Sequence, residues 1–131
     1  MHTTIKSVIT EAAAKALATD GPAGINVVPV SMIKVNDDGS VWLFDFFMEK
    51  TVQNLATNSA MALTCWSGME GIQLKAMASY LTDGPDFAAA VDWVATQNPD
   101  RVVKGLIVLK PTVLYDISPG GIYDDVQLTL P

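Results

Sequence analysis

The spacing of apolar residues over the first twenty positions predicts a helix. Thr3 or Thr4 can cap its start, and the Asp20-Gly21-Pro22 sequence stops it. We therefore expect a helix over residues 1–20 that packs against a sheet. The apolar residues that recur at the three- and four-residue spacing of one helical face are Ile5, Val8, Ile9, Ala12, Ala13, Ala16 and Leu17.

From Ile25 the pattern changes to short β-rich runs separated by turn residues. One strand is predicted over residues 25–35, with Pro29 inside it. Because proline donates no backbone hydrogen bond, Pro29 belongs at a sheet edge, at a bulge or beside a ligand. The Asn36-Asp37-Asp38-Gly39 sequence predicts a hairpin turn into a second strand over residues 41–46.

The rest of the chain predicts two short helices, three further strands and a tail. The strands cover residues 60–66, 72–81 and 102–117, and the last is interrupted at Pro111. Strands this close in sequence predict a mostly antiparallel sheet that closes into a small barrel, within one domain of residues 1–131. The first of these helices covers residues 49–58, and its predicted inward residues are Val52, Leu55 and Ala56. The second follows the turn at Thr82–Pro85, and its predicted inward residues are Phe87, Ala90, Val91 and Val94. The tail covers residues 118–131.

Composition and charge narrow the classes of function. Half of the 131 residues are apolar and the mean hydropathy is +0.29, a surplus that indicates a second copy covering part of the surface. Eight basic against fourteen acidic residues give a net charge of −6, which argues against binding nucleic acid or an anionic membrane. No apolar run approaches the ~18 residues of a membrane span, and no signal peptide is expected. Cys65 is the only cysteine and cannot form an internal disulfide, so the reducing cytoplasm is the expected location.

Common catalytic and metal-binding motifs are missing from the sequence. His2 is the only histidine, so a histidine-based triad is excluded, and His2 with Cys65 cannot build a common zinc site. There is neither a GK[ST] phosphate loop nor a GxGxxG motif. Acidic residues gather in turns. The sequence therefore identifies no catalytic residue and no metal ligand.

The pair Lys50-Thr51 lies where a predicted strand gives way to a predicted helix. A helix start offers unpaired backbone N–H groups, Lys50 adds a charge and Thr51 a hydroxyl, which together suit an anionic phosphate. Taken alone, the pair is more typical of an ordinary helix start.

The segments around this pair, in their order and spacing, resemble the FMN-binding split-barrel family, the small relatives of pyridoxamine 5′-phosphate oxidase. The similarity is greatest to short stand-alone bacterial members, and it covers residues 17–87 well and the remainder loosely. The segments that carry it are Asn26–Ser31, Phe47–Thr51 with Asn54-Leu55, Gly71–Ala76 and Tyr80–Phe87.

The resemblance implies a fold, a cofactor and a set of site residues. It implies a six-stranded antiparallel split barrel with Greek-key connections, which forms a homodimer with two FMN molecules in clefts at the subunit interface. Lys50 and Thr51 are then expected to bind the FMN phosphate, with Asn54 supporting that end. Gln73 and Lys75 are expected to reach the phosphate end from the fourth strand. The remaining expected contacts are Val28, Pro29, Val30 and Ser31 along the flavin ring, and Asp45, Phe46 and Phe47 beneath it.

Three functions follow from these observations. The first is an FMN-dependent oxidoreductase or electron carrier that uses a reductant such as NAD(P)H. The vitamin B6 oxidases of the family use basic residues to bind a second phosphate, which belongs to the substrate. Because Arg101 is the only arginine here, this binding is not expected, and neither is pyridoxamine phosphate oxidation. The second is a non-catalytic module of the same fold, holding haem, a deazaflavin or no cofactor, as a sensor or partner-binding subunit. The third is a structural dimer.

Overall fold

Three helices and seven strands make up the chain in the computed structural model, which describes residues 1–131. No helix has the length and apolarity needed to cross a membrane. The helices are α1 (Thr3–Glu11), α2 (Glu49–Leu55) and α3 (Gly84–Gln97). The strands are β1 (Ala14–Thr19), β2 (Asn26–Pro29), β3 (Ile33–Val35), β4 (Val41–Asp45), β5 (Ala60–Ser67), β6 (Glu70–Leu81) and β7 (Gly105–Asp116).

All seven strands belong to one antiparallel sheet, in the order β2-β1-β5-β6-β7-β4-β3. The mainly β, split-barrel fold is thus confirmed, with seven strands where six were expected. The turn at residues 36–39 joins β3 to β4 as predicted. The predicted interruption at Pro111 is a β-bulge, because Ala76 pairs with Pro111 while Lys75 pairs with Val113 and leaves Thr112 unpaired.

The N-terminal helix is shorter than predicted. It ends at Glu11, and Ala16 and Leu17, which were assigned to its second half, lie in β1, which pairs with both β2 and β5. Leu17 and Thr19 are buried and alternate with the small Ala16 and Ala18 on the opposite face. The alanines favour a helix, but pairing on both sides of the strand outweighs that local preference.

The single strand predicted over residues 25–35 is two strands at opposite edges of the sheet. Residues 26–29 pair with β1, whereas residues 33–35 pair with β4. Pro29 ends its edge strand, as expected for a residue without an N–H donor. The three residues between the strands, Val30–Met32, cross from one edge to the other and keep both edges close together.

Two predicted inward faces are partly wrong. Helix α2 buries the polar side chains of Thr51 and Asn54 completely instead of the predicted apolar row. Helix α3 buries Ala90 and Val94 as predicted, but Val91 is 39% exposed.

The core has two parts. The larger part fills the barrel under α1, and the smaller part joins α3 to the ends of β4 and β7. In the smaller part Phe44 stacks on Trp93, with ring centroids 5.3 Å apart. This second cluster supports the candidate site described next.

Candidate functional site

An open groove lies between the edge strand β2 and the turn that leads from β4 into α2. It consists of an apolar end of about 270 Å³ and a polar end of about 370 Å³, which share Val28, Phe47 and Met48. The other residues of the apolar end are Pro29, Val30, Ser31, Met32, Phe44, Phe46 and Arg101. The other residues of the polar end are Asn26, Val27, Glu49, Lys50 and Thr51.

The carboxylate of Asp45 fixes the turn that forms one wall of the groove. It is 4% exposed, and its Oδ1 accepts a hydrogen bond from the Met48 N–H at 2.7 Å. Its Oδ2 accepts a hydrogen bond of 2.5 Å from the hydroxyl of Tyr80. Burial and this bond to Asp45 raise the pKa of Tyr80. Asp45 therefore braces the predicted site, with both oxygens engaged inside the chain.

The two adjacent phenylalanines have different environments. Phe46 is 9% exposed and lies near Phe44, with centroids 6.5 Å apart, so its ring forms part of the groove floor. Phe47 is 86% exposed and borders both ends of the groove. The Lys104 Nζ lies 5.1 Å from the Phe47 ring centroid. Phe46 is thus a buried part of the lining, whereas Phe47 stands exposed where the two ends meet.

Lys50 and Thr51 both lie at the polar end, but they present different groups. Lys50 is exposed. Thr51 is completely buried, and its hydroxyl accepts a hydrogen bond of 3.3 Å from the Asn26 side chain. No side chain caps α2, so the N–H groups of its first turn lack the usual capping partner. Lys50 and these N–H groups are the donors that this end offers to an anion.

Asn54 lies beneath the groove wall rather than in it. Its Nδ2 donates to the Thr19 hydroxyl at 3.0 Å and to the Gly24 carbonyl at 2.8 Å. Its Oδ1 accepts from the Ala23 N–H at 2.8 Å. Asn54 thus ties α2 to the loop that precedes β2, and it supports the polar end from below.

Gln73 and Lys75 are not brought into the groove of their own chain. Both lie on the outward face of β6, which is separated from β2 by β1 and β5. Gln73 donates to the Thr64 hydroxyl at 3.4 Å on the neighbouring strand. Within one chain the other ten predicted residues line or support the groove, and these two lie apart from it.

Sequence reasoning missed several groove residues, of which Arg101 is the most informative. Arg101 follows α3 by four positions, and its guanidinium carbon lies 4.6 Å from the Phe46 ring centroid. Arg101, Lys50 and Lys104 all lie around the turn that leads from β4 into α2. Three of the eight basic residues of this acidic chain are therefore gathered at the groove. Glu49 is the acidic residue beside them at the polar end. No sequence signal marked Arg101, because it approaches the groove from a distant loop.

A family model described as pyridoxamine 5′-phosphate oxidase matches residues 1–124. The chain belongs to this family. An uncharacterised protein of Methanocaldococcus jannaschii is 33% identical over 108 residues, which cover 79% of this chain and 72% of the relative.

Solved structures share the fold at low sequence identity. Group A Streptococcus HupZ has a TM-score of 0.81 at 18% identity, covering 95% of this chain and 99% of its own. An FMN-binding protein from Syntrophomonas wolfei has a TM-score of 0.76 at 18% identity, covering 88% and 84%. The haem storage protein HutZ of Vibrio cholerae has a TM-score of 0.69 at 17% identity, covering 88% and 95%. Proteins of this fold thus include one named for binding FMN and one named for storing haem.

Proposed function

We propose that the chain binds FMN in the groove and acts as an oxidoreductase or electron carrier. The observation that carries this proposal is the change of lining along one groove, from an apolar end at Val30 and Phe46 to a polar end at Lys50. FMN combines a flat, largely apolar ring system with an anionic phosphate, so its two parts suit the two ends. The shared fold with an FMN-binding protein also supports the proposal.

Each end supplies a distinct set of contacts. Val28, Pro29, Val30 and Ser31 would line the ring, and Phe46 would lie beneath it. Lys50 would pair with the phosphate, together with backbone N–H groups of the α2 start, since the Thr51 hydroxyl is buried. Bound FMN supplies hydride and electron transfer, and the protein's part is to bind the ring, orient it and exclude water. A reduced nicotinamide is the proposed class of reductant.

A homodimer is part of the proposal, because one face of the sheet leaves large apolar side chains exposed around Gln73 and Lys75. Gln73 and Lys75 lie in the middle of this face, paired across the strands with Tyr115 and Val113. A second copy packed here would bring Gln73 and Lys75 towards the groove of the other chain. The exposed large apolar residues on this face are Val27, Met77, Val113 and Tyr115, beside the small residues Ala16, Ala18 and Ala62.

An absorbance spectrum of the purified protein, with and without added FMN, tests the cofactor assignment. We expect bound flavin to give a resolved, shifted spectrum relative to free FMN. Lys50→Ala should weaken binding by roughly 10- to 150-fold, since a hydrogen bond to a charged group contributes about 1.5–3 kcal/mol. Lys6→Ala on α1 removes the same charge at a residue that lines neither end of the groove, and it serves as the control. Equal affinities in the two variants would refute the phosphate assignment.

A haem-binding or cofactor-free module is the second candidate, favoured by the similarity to a haem storage protein. The only histidine, His2, caps α1 and accepts from the Thr4 N–H at 3.1 Å, and it does not line the groove. Titration with haem and with FMN in parallel separates the candidates. Saturable haem binding without FMN binding would favour the second. We propose the cytoplasm as location, because the one cysteine is free.

A further inference from the structure

Arg101 is the only charged residue that lines the apolar end of the groove. The other nine residues there are uncharged, and Ser31 is the only one with a polar side chain. Arg101 is also the only arginine in the chain. Arg101 is exposed, so water screens its charge in the empty groove, and a ring bound at this end would displace part of that water. No other charged residue lines this end to oppose the effect of Arg101 on the ring.

Arg101 is exposed, with its side chain in contact on the groove side and its backbone held on the loop side. Its guanidinium lies 4.6 Å above the ring of Phe46, which is itself buried against Phe44. Its backbone N–H donates to the Asn98 carbonyl at 3.2 Å, which closes the turn after α3. The neighbouring Asp100 is exposed and does not line the groove. Arg101 therefore presents its charge to the cavity without a carboxylate beside it in the lining.

Lys104 and Lys50 do not duplicate this role. Lys104 belongs to the same loop but lies over Phe47 and lines a different cavity, beside Asp45 and Glu49. Lys50 lies at the polar end, also beside Glu49. Both lysines thus have acidic neighbours, whereas the apolar end has Arg101 alone.

We propose that Arg101 raises the reduction potential of FMN bound in the groove, by stabilising the negative charge of the reduced ring. This inference rests on the proposed function. Two electrons and one proton, supplied by a hydride donor such as a reduced nicotinamide, convert the neutral oxidised ring into a reduced ring with one negative charge. A fixed positive charge beside the ring favours the product of this reduction over the reactant.

The test compares midpoint potentials of FMN-loaded Arg101→Gln, Arg101→Lys and wild-type protein, measured by stepwise reduction with dithionite against a reference dye. We expect Arg101→Gln to bind reduced FMN about tenfold less well relative to oxidised FMN. This ratio equals a potential lowered by about 30 mV for a two-electron couple. Arg101→Lys keeps the charge and should retain most of the wild-type potential. Lys6→Gln on α1, which removes the charge of a residue that lines neither end of the groove, should leave the potential unchanged.

The outcomes separate this inference from the FMN assignment. FMN binding with an unchanged potential in Arg101→Gln would overturn the role of Arg101 and leave the cofactor assignment standing. An equal loss of affinity for oxidised and reduced FMN would make Arg101 a general binding residue and also overturn the inference. A potential lowered as much in Arg101→Lys as in Arg101→Gln would show that packing on Phe46, not charge, is responsible. Failure of the wild type to bind FMN would refute the proposed function itself.

Discussion

Asn54 is the residue whose replacement by alanine should most clearly loosen the groove wall without touching a ligand. It is completely buried and makes three hydrogen bonds to the end of β1 and the loop that follows. The loop packs so closely that a Cβ on Gly21 would lie 2.8 Å from the Asn54 Cα. Truncation therefore leaves donors and acceptors without partners in a place where the chain has little freedom to rearrange.

The expected cost follows from the burial of each partner. The bond to the Thr19 hydroxyl is buried, so its loss should cost about 1–3 kcal/mol. The bonds to Gly24 and Ala23 are partly buried, so water can replace them in part, at about 0.5–1 kcal/mol each. We expect Asn54→Ala to lower the free energy of unfolding by about 3 kcal/mol. For a domain of this size that corresponds to a fall in Tm of roughly 10 °C.

Urea unfolding followed by tryptophan fluorescence measures this change. Gln53→Ala is the matched control, since Gln53 is the preceding residue of α2 and is exposed. The double variant Asn54→Ala/Thr19→Val should cost less than the sum of the single changes, by about 1 kcal/mol, because both remove the same bond. A loss below about 1 kcal/mol in Asn54→Ala would refute the assignment of Asn54 as the tie between α2 and the β1–β2 loop. Strict additivity in the double variant would refute the bond between Asn54 and Thr19 at the end of β1.

Two further perturbations test the supports of the groove and of the tail. Gly105→Ala should prevent folding or lower Tm sharply, since its Cβ would lie 2.1 Å from the Tyr80 ring. Thermal scans beside Gly120→Ala check this, because a Cβ at Gly120 meets no atom within 4 Å and its φ of +76° costs alanine only about 1–2 kcal/mol. The ionised Asp116 carboxylate stabilises the folded chain, because its pKa in the folded state lies below the ordinary 3.8. This contribution to the free energy of unfolding should be lost as pH falls from about 4 through about 2, and near-ultraviolet circular dichroism of wild type and Asp116→Asn checks this. Burial alone would raise that pKa, but hydrogen bonds from the backbone N–H groups of Tyr123, Ser118 and Ile122 hold it at about 2.

The sequence predicted those elements whose residues alternate or turn in a locally recognisable way. The hairpin at residues 36–39 and the strands β5, β6 and β7 are of this kind, and each is confirmed with small shifts at its ends. Helix α2 was located correctly, but its buried face was not. Apolar periodicity cannot reveal a face whose purpose is to satisfy backbone groups of another loop, as Asn54 does for residues 23 and 24.

The groove itself depends on which strand each half of residues 25–35 pairs with, and no local pattern specifies that choice. Because Pro29 ends one edge strand and Ile33 begins the other, four peptide steps limit the gap between the sheet edges to about 14 Å. The edge strands β2 and β3 therefore lie close together, although each pairs with a different neighbouring strand. The groove opens beside them, lined by the connecting residues Val30–Met32 and by the turn at Phe46–Met48. Arg101 enters the same opening from the loop before β7, at a sequence distance of more than 50 residues from Phe46. A site assembled in this way has residues that a motif can mark, such as Lys50, and residues such as Arg101 that only the closed topology brings to it.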